Sequence, residues 1–330
     1  MKHLVIIIPA FNEEEGIGKI LDGYPKDIQG IGKINIIVIN DGSTDKTEEI
    51  AKNKGAHVIS HPQNMGLGVS FRSGLAKALE MGADVIVNID ADGQFDIEEV
   101  PKLVNPILKG EAEFVTASRF ISSDLAPSMP RVKSLGNKLM SSIVSRIIGK
   151  KFYDVSCGYR AYSRKAALHL NLFGKYTYTQ ETFIDLASKN IPIIEVPVKV
   201  KGEREFGKSK VASNLFKYGF NTLRIIMAAF RDYRPLRLMF FLSLILVVIG
   251  TLFGSFFLIH YIRVGAFRPH TWAGFLSFSS FILALLMLIV GVFMEMFSRM
   301  RMNQEQLLYH MRKDYYEKKK HDEHREDVNG

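Results

Sequence analysis

Several features that would place the chain in a common class are missing from it. Only one cysteine occurs in 330 residues, so we expect no internal disulfide and no cysteine-based metal cluster. The first apolar segment is not followed by a G-x-G-x-x-G sequence, and no Walker A sequence occurs, so the usual NAD and ATP sites are not predicted. The start "MKHLVIIIP" has an apolar run too short for a secretory signal.

Charge is absent from two long apolar segments toward the C-terminal end. Residues 238–260 and 272–294 contain no Asp, Glu, Lys or Arg, and each is long enough as a helix to cross the ~30 Å hydrocarbon core of a bilayer. Buried core helices are the alternative, but uncharged runs of this length are uncommon in soluble domains. Because the link 261–271 is short, we predict a transmembrane hairpin with spans at about 238–260 and 272–296.

The basic excess of the chain lies beside this hairpin. The formal net charge is +9 and the isoelectric point is near 9.4, and residues 201–240 hold nine Lys and Arg against three acids. Anionic headgroups attract such a segment, so we predict a lipid bilayer rather than nucleic acid as the partner. The positive-inside tendency places the N-terminal domain and both termini in the cytoplasm, although Arg263 and Arg268 in the link weaken the asymmetry.

The first 200 residues alternate between apolar strands and amphipathic helices. "LVIIIPA" and "INIIVIND" are continuous apolar runs, which are typical of strands buried on both faces of a sheet. The alternating order predicts an α/β fold with a doubly wound, mostly parallel sheet, as in Rossmann-like domains. The predicted strands are 4–10, 34–41, 57–60, 84–90 and 114–120.

The chain is predicted to have four parts. The α/β domain occupies 1–210 and the hairpin occupies 236–297. Between them, 211–235 places Leu and Phe at helical spacing among Lys and Arg, which is typical of an amphipathic helix lying in the membrane interface. A polar tail, 298–330, is expected in the cytoplasm as a helix that continues from the second span and frays into a disordered end.

Polar side chains follow the predicted strands at their carboxyl ends. In doubly wound sheets, ligands bind in the crevice beyond these ends. Several polar residues at one edge therefore predict a single site. They are Asn12 and Glu13 after the first strand, Asp41 after the second, Asp90 and Asp92 after the fourth, and Arg119 after the fifth.

The stretch "NIDADGQFD" places Asp90 and Asp92 two residues apart, directly after a strand. An acid–base pair and a simple acidic turn are two alternatives. A general acid would need a raised pKa in surroundings shielded from charge, whereas these two carboxylates face an open crevice together. Like charges so close favour a bound cation, and oxygen ligands suit Mg²⁺ or Mn²⁺. We expect Asp96 to begin the next helix instead.

Six segments carry a resemblance to a known family. They are "IIIPAFNEE", "VINDGSTDKT", "NIDADGQFD", "TASRF", "DVSCGYRAYSR" and "GKSK", in this order. With this spacing the chain resembles the family-2 inverting glycosyltransferases of the GT-A fold. More narrowly, it is similar to the polyprenyl-phosphate glycosyltransferases, which include the dolichol-phosphate-mannose synthases. The resemblance covers residues 1 to about 215, and the following hairpin fits the membrane-anchored members.

The resemblance assigns roles on the donor side of the site. It implies that Asp41 bonds the nucleobase and that Glu13 bonds the base or the ribose. Phe11 stands where the family often has tyrosine, and it can still pack against the base. The implied nucleoside-binding residues are Pro9, Phe11, Glu13, Ile39 and Asp41, and the implied diphosphate-binding residues are Asp90, Ala91, Asp92 and Gln94. The implied ligands of Mg²⁺ or Mn²⁺ are Asp90, Asp92 and Gln94.

The resemblance also assigns an acceptor side. Arginine suits a phosphate acceptor because the guanidinium fork matches phosphate geometry. The implied acceptor-phosphate residues are Arg119, Arg131 and Ser134, and the implied mobile loop over the donor diphosphate carries Arg204, Lys208 and Lys210. The residues expected to be catalytic are Asp92, Arg119 and Arg131.

These assignments imply inverting transfer of a sugar from a nucleotide sugar to a polyprenyl or dolichyl phosphate at the cytoplasmic membrane face. The acceptor is already anionic near neutral pH, so no general base is required. GDP-mannose is the expected donor, with UDP-glucose and UDP-N-acetylglucosamine as alternatives. Two other functions stay open: transfer to a sugar hydroxyl in polysaccharide synthesis, and a non-catalytic nucleotide-binding scaffold. We expect any homo-oligomer to form through the hairpin.

Overall fold

The computed structural model describes residues 1–122, 131–172, 178–199 and 235–329. The chain forms two compact units, one made of Met1–Tyr218 with Gln306–Gly330 and the other of Gly219–Glu305. All but the last residue of the predicted interface helix at 211–235 lies outside the described residues.

The first unit contains a seven-stranded sheet. Its strands are β1 (Lys2–Ala10), β2 (Ile31–Asn40), β3 (His57–Ser60), β4 (Val85–Asn88), β5 (Phe114–Ser118), β6 (Arg160–Ser163) and β7 (Ile193–Pro197). Their order is β3-β2-β1-β4-β6-β5-β7. β6 is antiparallel to both neighbours, and the other neighbouring pairs are parallel. The predicted mostly parallel sheet is therefore confirmed.

Helices cover both faces of the sheet, which explains why the central strands are apolar throughout. In β1, alternate side chains point to opposite faces: Ile6 and Ile8 pack in one core cluster with Leu103. On the other face, the helix at 67–80, which carries Gly74, packs on β1 and β2. A Cβ added to Gly74 would lie 2.3 Å from Ile7 and 2.7 Å from Ile39, so this helix packs closely only because residue 74 has no side chain. The helices are α1 (Ile17–Gly23), α2 (Thr47–Asn53), α3 (Leu67–Glu80), α4 (Val100–Leu108), α5 (Arg131–Ile148), α6 (Arg164–His169) and α7 (Thr179–Ser188).

One edge of the sheet collects the ends of the site-bearing strands. β1, β2 and β4 are mutually parallel neighbours, and β5 runs in the same direction because it and β4 both pair antiparallel with β6. Their carboxyl ends therefore lie at the same edge, as predicted. Because β6 runs the other way, it begins at this edge with Arg160. The loop 154–159 that precedes it belongs to the same edge.

The second unit contains the predicted pair of apolar helices. Both α8 (Pro235–Val264) and α9 (Thr271–Asn329) are long and apolar enough to cross a membrane, and few residues of either apolar window are buried within the protein. The two helices pack through small residues, as membrane helices do. Ser277 Oγ donates to the carbonyl of Gly250 at 2.7 Å, and Ser243 Oγ donates to that of Ala284 at 3.0 Å. The bilayer is thus the expected environment of their outer faces.

The C-terminal part of α9, from Gln306 onward, belongs to the first unit. The ring of Tyr309 stacks on His169, with 3.9 Å between centroids. Arg312 Nη1 donates to the carbonyl oxygens of Leu170 at 2.8 Å and Leu168 at 3.4 Å. These carbonyls lie at the end of α6, where a helix leaves its acceptors without intrahelical partners. The predicted helical continuation is confirmed, because α9 extends to Asn329, whereas the side chains of 320–330, where fraying was expected, lie outside the described residues.

Candidate active site

The loops after β1 and β2 are joined by hydrogen bonds from side chain to backbone. The amide N of Asn12 donates to Ser43 Oγ at 3.0 Å, and Asn12 Oδ1 accepts from the amide of Thr44 at 2.9 Å. The amide of Glu13 donates to Thr47 Oγ1 at 2.8 Å. Asn12 also has a φ of 56°, a left-handed conformation that is uncommon outside glycine and recurs at functional sites. These hydrogen bonds therefore tie the two loops to each other.

The residues implied to bind the nucleoside cluster at these loops. Pro9 and Ile39 are buried partners in the β1–β2 ladder. Phe11 and Glu13 are half-buried and follow β1 directly. The structure thus brings the four residues to one end of the sheet, with Pro9 and Ile39 near the ends of the two strands and Phe11 and Glu13 in the loop after β1. Their contacts with a nucleoside stay a prediction.

Asp41 lies beside them but already serves several donors. Its Oδ1 pairs with His61 Nδ1 at 2.8 Å and accepts from the amide of Met65 at 3.0 Å, while Oδ2 accepts from the amide of Gly66 at 2.9 Å. Burial alone would raise the pKa of Asp41, but these hydrogen bonds outweigh it and hold that pKa below its usual value. The carboxylate therefore orders the turn into α3. Little of its acceptor capacity is left for the predicted bond to a base.

The acidic turn after β4 contains the proposed cation ligands. Asp90 is half-buried and Asp92 is buried, with Ala91 buried between them. The amide of Gln94 donates to Asp92 Oδ1 at 3.1 Å, which closes the turn. Asp96 instead accepts from the amide of Glu98 at 2.9 Å and caps the 3-10 turn Ile97–Glu99. The prediction that Asp96 begins the next helix is confirmed.

The donor set fits a hard divalent cation with few protein ligands. Asp90 and Asp92 offer carboxylate oxygens, and Gln94 offers an amide oxygen, which is the ligand chemistry of Mg²⁺ and Mn²⁺. In the described part of the chain, no group of three or more His, Cys, Asp or Glu side chains has the geometry of a metal site. Mg²⁺ characteristically takes one or two carboxylates and completes its shell with water and substrate phosphate. The residues present suit that mode.

Arg119, after β5, is held by a buried carboxylate. Its Nε donates to Asp154 Oδ2 at 2.6 Å, and its Nη2 donates to Asp154 Oδ1 at 3.0 Å and to Ser156 Oγ at 2.9 Å. Burial alone would raise the pKa of Asp154, but the hydrogen bonds and charge of Arg119 keep that pKa below its usual value. Asp154 and Ser156 thus hold Nε and Nη2, and Nη1 is the part of the guanidinium fork that they do not engage.

The structure describes the other predicted acceptor-phosphate residues only in part. Ser134 lies half-buried in the first turn of α5. Arg131 begins that helix, but its side chain lies outside the described residues. Arg204, Lys208 and Lys210 also lie outside them. Their roles stay predictions.

Three residues at this edge were not singled out by the sequence as site residues. Asp154 fixes Arg119, Asn88 at the end of β4 is completely buried, and Arg160 is completely buried at the start of β6. The guanidinium of Arg160 lies over the rings of Phe114 and Phe183. The sequence feature that could have identified these residues is their position in "VNID" and "DVSCGYR", next to the strand ends.

Cys157 is a packing residue. It is buried, and its burial raises the pKa of the thiol to about 12. A thiol with this pKa is protonated at neutral pH and is not a nucleophile. The cysteine therefore supplies no chemistry to the site.

Comparison with known proteins agrees with this architecture. A UDP-N-acetylglucosamine–dolichyl-phosphate N-acetylglucosaminyltransferase of Methanococcus voltae is 34% identical over 218 residues, covering 60% of this chain and 85% of that protein. A polyprenol monophosphomannose synthase of Mycolicibacterium smegmatis is 27% identical over 227 residues, covering 64% and 82%.

Solved structures and family models point the same way. Glucosyl-3-phosphoglycerate synthase of Mycobacterium tuberculosis, crystallised with Mn²⁺, UDP and glucosyl-3-phosphoglycerate, is 24% identical with a TM-score of 0.52, covering 69% of this chain and 78% of its own. At this identity the likeness establishes a shared fold. Residues 5–170 match the model described as glycosyl transferase family 2. The chain belongs to glycosyl transferase family 2 and is a glycosyltransferase of the GT-A fold, as its motifs predict.

Proposed function

We propose that the protein transfers a hexosyl group, with inversion, from a nucleotide sugar to a polyprenyl phosphate at the membrane surface. The observation that carries the proposal is Arg119, a guanidinium held in place by buried Asp154 at the same sheet edge as Asp90 and Asp92. A fixed cationic fork at that position suits a phosphate acceptor. The two relatives compared above are named as a dolichyl-phosphate N-acetylglucosaminyltransferase and a polyprenol monophosphomannose synthase.

The donor side is assigned to the acidic turn. Asp90, Asp92 and Gln94 would hold Mg²⁺ or Mn²⁺, whose charge would neutralise the leaving diphosphate. The M. tuberculosis enzyme of the same fold was crystallised with Mn²⁺ and UDP, which supports a divalent cation here. Arg204, Lys208 and Lys210 are proposed to cover the same diphosphate. The nucleoside is proposed to lie on the loop that carries Phe11 and Glu13.

The acceptor side needs orientation more than proton removal. A lipid monophosphate carries between one and two negative charges near neutral pH, so its oxygen can attack the anomeric carbon directly. The new bond forms from that oxygen as the bond to the leaving diphosphate breaks on the opposite face, which inverts the anomeric centre. Arg119, Arg131 and Ser134 are proposed to hold the phosphate in line for this displacement.

Two donors are proposed, GDP-mannose and UDP-N-acetylglucosamine. GDP-mannose is the donor predicted from the sequence resemblance, and the mycobacterial relative is named for mannose transfer. UDP-N-acetylglucosamine is favoured by the M. voltae relative, which is the more similar of the two at 34% identity.

The proposal includes a membrane location. The hairpin of α8 and α9 would anchor the chain, with the transferase domain and both termini in the cytoplasm, where nucleotide sugars and the basic segment beside the first span are both expected. Any association between copies is proposed to use the hairpin.

The test is a donor panel on membranes that contain the protein. Labelled GDP-mannose, UDP-glucose and UDP-N-acetylglucosamine are each supplied with a polyprenyl phosphate and Mg²⁺ or Mn²⁺. We expect label in the lipid fraction with one donor, and its loss in Asp92→Asn. Label in a water-soluble polymer would instead support a sugar hydroxyl as acceptor. No transfer from any donor would contradict the proposed function.

A further inference from the structure

We infer that Gly158 and Asn88 form a seat that positions the carboxylate of Asp90. The inference rests on the proposed function, in which Asp90 is a ligand of the divalent cation. Gly158 lies in the loop before β6 and Asn88 ends β4, so both are at the site edge. Neither residue is proposed to touch substrate, and both act through Asp90.

The space at Gly158 is occupied by the Asp90 carboxylate. A Cβ built on Gly158 would lie 2.5 Å from Asp90 Oδ2 and 3.1 Å from both Asp90 Cγ and Oδ1. Its three nearest neighbours are therefore atoms of that one carboxyl group. Such distances are shorter than any ordinary contact between non-bonded atoms. A side chain at position 158 and the observed Asp90 rotamer exclude each other.

The backbone at position 158 gives no other reason for glycine. Gly158 is absent from the residues of positive φ, which include Gly93 and Gly149. Alanine could adopt this backbone conformation without the strain of the left-handed region. The residue is glycine because a carboxylate approaches its Cα closely, which is the second common reason for a buried glycine.

The loop that carries Gly158 is held so that it cannot retreat from Asp90. Asn88 Nδ2 donates to the carbonyl of Gly158 at 3.0 Å and to the hydroxyl of Tyr178 at 2.7 Å, and the amide is completely buried. Arg160 Nε donates to the carbonyl of Cys157 at 2.7 Å, and Nη2 donates to that of Val155 at 3.0 Å. An added methyl group at 158 would therefore displace Asp90 rather than the loop.

Displacement of Asp90 should weaken binding of the cation more than binding of the nucleotide. Changes to groups that orient a metal ligand typically cost ~10–100-fold in metal affinity. We therefore expect Gly158→Ala to weaken Mn²⁺-dependent binding of UDP or GDP by ~10–100-fold. Binding of the same nucleotide in EDTA, which does not use Asp90 as a metal ligand, should be unchanged.

The binding test uses the full chain in detergent, titrated with Mn²⁺ and UDP or GDP in a calorimeter. Gly18→Ala is the matched control, because a Cβ there would make only an ordinary 3.5 Å contact with Ile50 and Gly18 has no positive φ. Wild-type affinity for Mn²⁺ and nucleotide in Gly158→Ala would overturn the seat. A wild-type protein that binds no nucleotide with Mn²⁺ would instead overturn the proposed function.

A stability cycle tests the seat without any ligand. The unfolding midpoints of Gly158→Ala, Asp90→Ala and the double variant are compared with that of the wild type. If the methyl group clashes only with the carboxylate, Gly158→Ala lowers the midpoint when Asp90 is present and has little effect in Asp90→Ala. A single variant that fails to fold, together with a double variant that folds, supports the seat as well. Equal destabilisation in both backgrounds contradicts it.

Discussion

Among single residues, Arg119 is held in position by the carboxylate of Asp154. Asp154 is completely buried and holds two nitrogens of the guanidinium. Removing one partner of a buried pair leaves the other charge uncompensated and costs about 3–5 kcal/mol of folding free energy. Asp154→Asn keeps the shape but loses the charge. We expect it to lower transfer to polyprenyl phosphate by ~100-fold or more through loss of positioning, measured with labelled donor, while Mn²⁺-dependent nucleotide binding is retained.

A second buried aspartate provides the control for this variant. Asp185, on α7, is 3% exposed and pairs with Lys189 at 2.8 Å. Asp185→Asn should also lower the unfolding midpoint, but lipid transfer per folded molecule should remain. Equal loss of transfer in both variants would show that Asp154 acts only through global stability.

The residue scale also shows what sequence can reach. Asp90, Asp92 and Arg119 could be predicted because each follows an apolar strand, and parallel strands bring such positions together. The partnership of Arg119 with Asp154 could not, because the two residues are 35 positions apart and no periodicity joins them. The reason for glycine at Gly158 was equally hidden, because it depends on the path of the Asp90 side chain, which comes from the turn after β4.

At the scale of elements, the tail of α9 acts as part of the α/β unit. Arg312 donates to two carbonyls at the end of α6, and hydrogen bonds from charged groups contribute ~1.5–3 kcal/mol. We expect Arg312→Ala to lower the free energy of unfolding by about that amount, measured by thermal denaturation. Lys313→Ala is the control, since Lys313 pairs with Glu317 of the same helix, at 3.8 Å. Equal effects would mean that the tail contributes nothing through this contact.

The tail also sets a pH dependence through His169. Burial, followed by the nearby charges of Lys189 and Lys165, lowers the pKa of His169 to about 4. Because the usual pKa is ~6.5, the unfolded chain binds a proton that the folded chain does not between these values. Stability from this residue is therefore complete above about pH 6.5 and falls as the pH drops toward about 4.

Tyr309 covers the His169 ring, so Tyr309→Ala should return that pKa toward its usual value. The difference in unfolding midpoint between about pH 7.5 and about pH 5 should then be smaller than in the wild type. Tyr315→Ala, at a tyrosine 57% exposed on the same helix, should keep the wild-type difference. An unchanged difference in Tyr309→Ala would show that the stack does not control the titration.

Some strands and helices could be predicted from the sequence, and others could not. β1, β2 and the two apolar helices follow from long apolar runs. β6 was not predicted, because it has only four residues and begins with a buried arginine. Docking of the tail was not predicted either, because a polar helix face does not reveal whether water or another surface covers it.

At the scale of the whole molecule, the chain combines a GT-A transferase domain with two helices that can cross a membrane. Such a combination suits the proposed reaction, between a donor that dissolves in water and an acceptor that dissolves in lipid. Fold and family were accessible from sequence because motifs and apolar runs are local patterns. The donor was not, because its choice depends on loop contacts with a ligand.

The proposed acceptor is a lipid phosphate whose oxygen attacks the anomeric carbon of the sugar without a general base. The most direct measurement compares purified protein in liposomes that contain either a polyprenyl phosphate or the corresponding polyprenol, with the active labelled donor and Mg²⁺ or Mn²⁺. We predict transfer to the phosphate only, and its loss in Arg119→Lys, which keeps the charge but not the fork. Transfer to the polyprenol at a comparable rate would contradict the claim.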